Sequence, residues 1–238
     1  MTFIIAIPSY QRSEFFERHT YALLKRHNLL SKATLFVIPE EEQAYKAKYS
    51  DIQIVVGIKG LRQQREFIYN YYPRGTHICM IDDDLQTVID NTRSEVPDLQ
   101  KVIQEGFDTA EKEDCRLWGI YPIDNPFFFK SGYSTNLKYI VGAFYGVINA
   151  GQQEPSLSYD DKEDVYRSCW YFKEDGKVVR LNHYAPKTRY YKNPGGMNET
   201  RTSETIRLAS EQVKNMFPEY CRLFVRKGKY EIRLRSKA

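Results

Sequence analysis

Four short apolar runs punctuate the first 84 residues of the chain: Phe3–Ile7, Thr34–Ile38, Ile52–Val56 and His77–Ile81. None alternates polar with apolar residues, so each reads as a strand buried on both faces. Between them lie stretches of helical composition: Ser13–Leu30, opened by Ser13 as an N-cap, then Glu40–Tyr49 and Leu61–Tyr72. Pro8 and Pro39 close the first two strands, and Pro73 and Gly75 end the third helix. Strands that alternate with helices over short connections predict a parallel sheet covered on both sides. Such sheets bind ligands at the carboxyl ends of their strands. That edge would carry Pro8-Ser9-Tyr10, Gly57-Ile58-Lys59-Gly60 and Asp82-Asp83-Asp84.

The second half is less regular. Pro97–Asp114 reads as a helix, Trp118–Tyr121 as a strand, Asn125–Phe129 as an aromatic loop and Tyr139–Asn149 as a strand. A helix opens in Ser158–Asp164 and runs to Lys173, Lys177–Tyr184 is strand-like, and Ala185–Arg201 is a basic loop rich in glycine and proline. Thr202–Met216 is a last helix. There is no internal repeat and no linker, so the 238 residues are expected to form one domain.

With 42% apolar and 28% charged residues the chain has ordinary globular composition, which excludes disordered or collagen-like classes. No apolar run approaches the ~20 residues of a membrane span. The opening residues lack the basic region of a secretory leader. The four cysteines, Cys79, Cys115, Cys169 and Cys221, have neither zinc-site nor disulfide-framework spacing. They suit a reducing compartment, so a cytoplasmic protein is expected. The net charge of +4 is concentrated at the C-terminus: seven of the Lys and Arg residues and one acid, Glu231, lie in Tyr220–Ala238. A tail of that kind favours a polyanion, nucleic acid first, or is simply a solvated last strand.

The sharpest chemical signal is Asp82-Asp83-Asp84 at a strand end. Three adjacent carboxylates repel one another, and a hard divalent cation such as Mg²⁺ or Mn²⁺ offsets them with phosphate oxygens as co-ligands. A phosphate-binding Gly-rich motif ending in Gly-Lys-Ser/Thr is missing. The loop after the first strand, Pro8–Arg12, has no glycine of the kind that sugar-activating nucleotidyltransferases use, and the Asp run stands on the fourth strand rather than on the first, where haloacid-dehalogenase phosphatases carry it.

Ile5-Ala6-Ile7-Pro8-Ser9-Tyr10-Gln11-Arg12, Gly60–Arg65, Ile81-Asp82-Asp83-Asp84 and Glu163-Asp164 together resemble the GT-A nucleotide-sugar glycosyltransferases. With the basic C-terminal strand, they are more narrowly similar to the TET-associated glycosyltransferases, found largely in phage genomes, whose inferred acceptors are hydroxymethylated pyrimidines in DNA. The resemblance implies a single Rossmann-like GT-A domain with a mainly parallel central sheet. Residues 1–95 would form its nucleotide-sugar half, 96–201 the acceptor half and lid, and 202–238 the terminal helix and basic tail. It implies donor contacts from Pro8, Ser9, Tyr10, Arg12, Arg65, Asp82 and Asp83, and a Mn²⁺ or Mg²⁺ site built from Asp82 and Asp84 with His183 as third ligand.

Breaking a sugar–phosphate bond builds negative charge on the leaving diphosphate, which cations stabilise. Arg65, Lys187, Arg189 and Lys192 are candidates, with Asn193-Pro194-Gly195-Gly196 as a closing lid. An inverting transfer also needs a carboxylate to take the acceptor proton. Asp164 is the candidate, with Glu163 behind it; both also suit a helix first turn on dipole grounds alone. Tyr121, Phe127, Phe128, Phe129, Tyr133 and Tyr145 offer ring faces for an acceptor base or sugar, or core packing. The expected activity is transfer of a sugar, UDP-linked, to a hydroxyl on a 5-hydroxymethylated pyrimidine in DNA, in the host cytoplasm if the gene is phage-borne. A glycosyltransferase acting on a glycan or small molecule, and a non-catalytic nucleic-acid-binding module, remain open.

Overall fold

The structure is a computed structural model that describes residues 2–151, 157–188 and 201–235. Its elements follow the alternation read above: β1 (Phe3–Pro8), α1 (Ser13–Phe16), α2 (Ala22–Arg26), β2 (Ala33–Val37), α3 (Glu42–Lys48), β3 (Gln53–Val56), α4 (Leu61–Tyr71) and β4 (His77–Ile81). After the Asp run come β5 (Thr87–Ile89), α5 (Leu99–Lys112), β6 (Leu117–Ile120), β7 (Tyr133–Ser134), β8 (Phe144–Ile148), α6 (Glu163–Asp175), β9 (Val179–Leu181), β10 (Ala185–Lys187), α7 (Ser203–Met216), β11 (Cys221–Arg226) and β12 (Lys229–Leu234).

Eight strands form one sheet in the order β3-β2-β1-β4-β8-β6-β9-β7. β3, β2, β1 and β4 are mutually parallel, β8 runs antiparallel to both β4 and β6, and β9 returns to parallel against β6. The sheet is therefore mainly parallel, with β8 wedged in reverse beside the strand that carries the Asp run. Both faces are covered, which explains the unbroken apolar strands. On β4, Cys79 and Ile81 point into a core shared with Phe16 and Leu23 before β2 and with Val102, Ile103 and Phe107 of α5. Ile78 and Met80 point the other way, onto Ile68 of α4, Cys169 of α6 and Val213 of α7. Burying a side chain of this size stabilises by ~1.5–3 kcal/mol, so a polar residue at any of these positions would cost the fold directly. The four cysteines are all buried. Among the described residues, no helix is long and apolar enough to cross a membrane.

Several boundaries differ from those read in the sequence. Arg12, not Ser13, is the residue before the first helix, and Ser13 is its first helical position. The helix is also interrupted by a π-helical turn, Glu17–Tyr21, between α1 and α2. That wider turn holds Thr20, whose Oγ1 donates to the Asp82 carbonyl at 2.7 Å and accepts from Leu85 N at 3.0 Å. A buried hydroxyl thus pins both ends of the Asp turn. Tyr139–Val141 and Gly142–Ala143 are not in β8, which begins at Phe144; this segment instead crosses the cleft floor. α6 opens at Glu163 rather than at Ser158, because Lys162 adopts a left-handed conformation (φ 62°) that cannot continue a helix backwards. The basic tail is a hairpin, not a single strand.

Candidate active site

The carboxyl ends of β1 and β4, the N-terminus of α4, the Tyr139–Ala143 segment and the N-terminus of α6 enclose one cleft of about 250 Å³. Its position follows from the strand order: β2 and β3 lie on one side of β1 and β4 on the other, and this switch leaves a crevice at the carboxyl ends of β1 and β4.

Pro8, Ser9, Tyr10, Arg12, Arg65, Asp82, Asp83, Asp84, Glu163 and Asp164 all line this cleft. The three aspartates are not equivalent. Asp83 is buried and turned inward: its Oδ2 accepts from Ser9 Oγ at 2.7 Å and its Oδ1 from Arg12 at 3.3 Å. Ser9 in turn lies 2.8 Å from the Tyr45 hydroxyl of α3. Asp84 accepts from Arg12 at 3.2 Å and from Thr188 at 3.1 Å. Asp82 accepts from Arg65 Nη2 at 2.8 Å and keeps 30% of its side-chain surface exposed.

Burial pushes Asp82 up to about 6, with Arg65 acting against that rise and Asp84 adding to it. Its partial exposure tempers the push. Burial pushes Asp83 to about 7, against the pull of Arg12. Both carboxyls therefore gain from any further cation placed among them.

Across the cleft, Arg65 also reaches Glu163, through Nη1, and donates to the Gly142 carbonyl at 3.0 Å. Arg167, one turn along α6 and 1% exposed, donates to the other Glu163 oxygen at 2.5 Å. Glu163 is thus held between two buried guanidinium groups. Burial alone would raise it, but Arg167 and Arg65 more than offset that and hold it below its ordinary value. Arg167 lies 3.7 Å over the Tyr145 ring, a desolvated cation–π contact. Gly142 leaves little room here: a Cβ would stand 3.0 Å from both Arg65 Nη1 and Glu163 Oε1.

Asp164 differs from its neighbour in every respect. Its Oδ2 accepts from the Tyr139 hydroxyl and its Oδ1 from Val165 N at 2.9 Å. Burial and the adjacent Glu163 charge raise it above its ordinary value. Two neighbouring carboxyls are thereby shifted in opposite directions, Glu163 below its ordinary value and Asp164 above its own.

Other site candidates fall elsewhere. His183 does not line the cleft among the described residues. Its ring bonds the Gly132 carbonyl at 3.2 Å and faces Glu105 at 3.4 Å. It follows β9, which stands three strands from β4, or about 14 Å at ordinary strand spacing. Lys187 ends β10 with its side chain exposed, opposite Thr87; the next residue, Thr188, is the one that reaches Asp84. Arg189, Lys192 and the proposed lid Asn193–Gly196 lie outside the described residues. Tyr145 is buried in the core beneath Arg167, so the aromatic group is split: Phe127 (82% exposed) and Phe128 stand on the surface beyond the cleft lining.

The sequence reading missed Tyr139, Asp160, Arg167, Thr188 and Arg201. Asp160 accepts from Leu61 N and Arg62 N at 3.3 and 3.0 Å, and so caps α4 from the far wall of the cleft. Arg167 had a local signal, its spacing of four from Glu163 on one helix face. Tyr139 and Thr188 had none.

A divalent cation would suit this site in part. Asp82 and Asp84 offer hard oxygen donors on the cleft wall, the one- or two-carboxylate arrangement that Mg²⁺ takes with phosphate oxygens. Asp83 and Asp84 each have both oxygens in hydrogen bonds, to Ser9 and Arg12 and to Arg12 and Thr188, so a cation bound at either would have to displace one of these partners. Among the described residues, no three His, Cys, Asp or Glu side chains converge as a preformed cage.

No family model matches the chain, and no curated protein matches it. Solved structures do resemble it. Staphylococcus aureus TarS 1–349 in complex with UDP superposes with a TM-score of 0.54 at 10% identity, over 90% of this chain and 66% of that one. TarS 1–349 without that ligand in its description gives 0.52 at 10% identity, over 99% of this chain and 97% of that one. The present chain spans 40% of a longer TarS chain. The 4-diphosphocytidyl-2C-methyl-D-erythritol synthase of Anaerococcus prevotii gives 0.47 at 11% identity, over 89% of this chain and 96% of that one. The TarS likeness and the mixed sheet establish a GT-A-type, Rossmann-like fold.

Proposed function

We propose that the chain is a glycosyltransferase that moves a sugar from a UDP-sugar to a hydroxyl, with a 5-hydroxymethylated pyrimidine in DNA as acceptor. The observation that carries this reading is the meeting of Asp82–Asp84 and Glu163–Asp164 across a single cleft at the sheet edge. The UDP held by the TarS neighbour supports the choice of nucleotide. The basic C-terminal residues and the motif set noted above favour the DNA acceptor.

In an inverting transfer, the acceptor oxygen attacks the anomeric carbon as the bond to the diphosphate oxygen breaks. The hydroxyl proton passes to Asp164, which the Tyr139 hydroxyl and Val165 N hold in place. The leaving diphosphate takes up the bonding pair, and the Arg12 guanidinium beside Asp83 and Asp84 adds positive charge on that side. Asp82 and Asp84 would hold a Mg²⁺ or Mn²⁺, which supplies Lewis-acid stabilisation of the diphosphate. Glu163, fixed between Arg65 and Arg167, sets the position of Asp164 rather than reacting.

The test is thermal melting with a panel of nucleoside diphosphates, with Mn²⁺ and with chelator. A ligand confined to the folded state raises the melting temperature by mass action. A rise with UDP that chelation removes supports the donor and metal assignments. Mass spectrometry of hydroxymethylated DNA after incubation with UDP-sugars then tests the acceptor. Absence of any nucleotide-dependent shift would overturn the reading.

A further inference from the structure

The C-terminal residues form an antiparallel ribbon, β11 paired with β12, joined at Lys227-Gly228. Both turn residues have positive φ, 50° and 74°, as a tight primed turn requires. Side chains alternate across such a ribbon. One face carries Cys221, Leu223, Ile232 and Leu234; of these, Cys221, Ile232 and Leu234 pack into the core beside Val213 of α7. The other face carries Arg222, Phe224 and Arg226 on β11, and Lys229, Glu231 and Arg233 on β12.

The register sets like charges directly opposite each other: Arg222 faces Arg233, and Arg226 faces Lys229. All four are exposed. A like-charged cross-strand pair destabilises a ribbon, by up to about 1 kcal/mol. Two such pairs on one short ribbon give a surface that a polyanion would relieve. Glu231, the single acid on this face, reaches Lys162 at 3.5 Å. Lys162 lines the cleft and directly precedes Glu163. The basic face therefore runs up to the cleft rim.

We propose that this ribbon docks in the major groove of duplex DNA, with Arg222, Arg226, Lys229 and Arg233 on the flanking phosphates. The inference rests on the DNA-acceptor reading and adds where and in what form the DNA is held. The charge is complementary, and a two-stranded ribbon fits a groove about 12 Å wide. Substituents at pyrimidine C5 project into that same groove, as the thymine methyl does. A protein that holds the major-groove side beside its cleft meets the hydroxymethyl group directly. The partner is thus duplex rather than single-stranded, and the contacts are to the backbone rather than to base edges.

The test compares the intact chain with a variant carrying Arg222→Ser, Arg226→Ser, Lys229→Ser and Arg233→Ser, and with the milder Arg222→Ser/Arg233→Ser pair. Binding of a short fluorescent duplex is followed by anisotropy across a salt series. Removing four phosphate contacts should weaken binding by about 10²-fold or more and flatten the salt slope by about 3–4. The two-site variant should lose about half of that slope change. Melting in UDP, read in parallel, reports the fold and the donor site. If affinity and slope are unchanged in a variant that melts normally, the ribbon is not the docking surface. If single-stranded DNA or heparin binds as tightly as duplex through the same residues, the groove assignment fails. If no UDP shift appears but the duplex result holds, the glycosyltransferase reading fails and the ribbon stands.

Discussion

Asp82 Oδ1 accepts from Arg65 Nη2 at 2.8 Å, and the other Arg65 terminal nitrogen reaches Glu163. One buried guanidinium therefore ties the end of β4 to the start of α6, two elements 81 positions apart in the chain (163 − 82). The Asp82 end of β4 and the Glu163 end of α6 are therefore coupled through one side chain.

Arg65→Met should be strongly destabilising. It leaves Asp82 without its guanidinium and Glu163 with Arg167 alone, and breaking a buried pair costs about 3–5 kcal/mol. Arg65→Lys should recover part of that loss but not the two-sided geometry. Denaturant unfolding measures both. A loss below ~1 kcal/mol for the methionine variant would contradict the network.

The aspartates should separate by role. Asp84→Ala should abolish transfer and the Mn²⁺-dependent part of the UDP melting shift while the protein still folds. Asp83→Ala should instead lower stability, because Ser9 and Arg12 lose their shared acceptor. The cost should be about 1–3 kcal/mol for the orphaned groups. Calorimetric UDP titrations with and without Mn²⁺ distinguish the two behaviours. His183→Ala, remote from this cleft, should leave the Mn²⁺ dependence as it is.

The pH profile of kcat/KM should show its acid limb above the ordinary Asp value of 3.8, because burial raises Asp164. Activity rises as that carboxyl loses its proton. Asp164→Asn should remove both the limb and most of the turnover. At Glu163 the shift has the opposite direction, and it bears on stability. Its depressed value means the Arg-held anion stabilises the fold above about pH 4.5, its ordinary value, and that contribution is lost as pH falls through the lowered value. Glu163→Gln should therefore flatten the acid side of the melting curve and, by removing the charge that helps raise Asp164, move the kinetic limb toward lower pH.

Gly142→Ala places a methyl 3.0 Å from Arg65 Nη1 and Glu163 Oε1. Neither can retreat far, since both are buried in paired contacts. Overpacking of this kind costs about 1–3 kcal/mol. The variant should lower both the melting temperature and kcat, with KM for the donor changed least. An unaltered kcat would mean that the Arg65–Glu163 contact does not position Asp164.

Much of the first half was legible because both sheet faces are buried there. Ile78, Met80, Cys79 and Ile81 all had to be apolar, and β4 therefore shows as an unbroken run that stops at Asp82. The second half was harder because its strands pair by reversal. Tyr139–Asn149 reads as one apolar strand, yet only Phe144–Ile148 pairs with β4; the residues before it, with apolar Val141 and small Gly142, serve a cleft floor instead. The resemblance implies a histidine ligand in the strand-like stretch Lys177–Tyr184, where His183 stands, but a strand's rank in the sheet is not written in its composition. Lys227-Gly228 did carry a local turn signal, and it converts a basic tail into a two-faced ribbon.

The sequence by itself determined the strand–helix alternation, the carboxylate run at a strand end and the acidic pair at a helix start. These are local consequences of burial, period and charge, and they act over a few residues. Only the tertiary structure decided that Asp83 turns inward to Ser9 and Arg12, and that Glu163 is held below its ordinary value while Asp164 is raised above its own. It also decided that Tyr139 reaches Asp164 and that like charges face each other across β11 and β12. Each of these depends on which distant groups share a desolvated space, and the energy of a buried charge is set by those neighbours rather than by its own place in the chain.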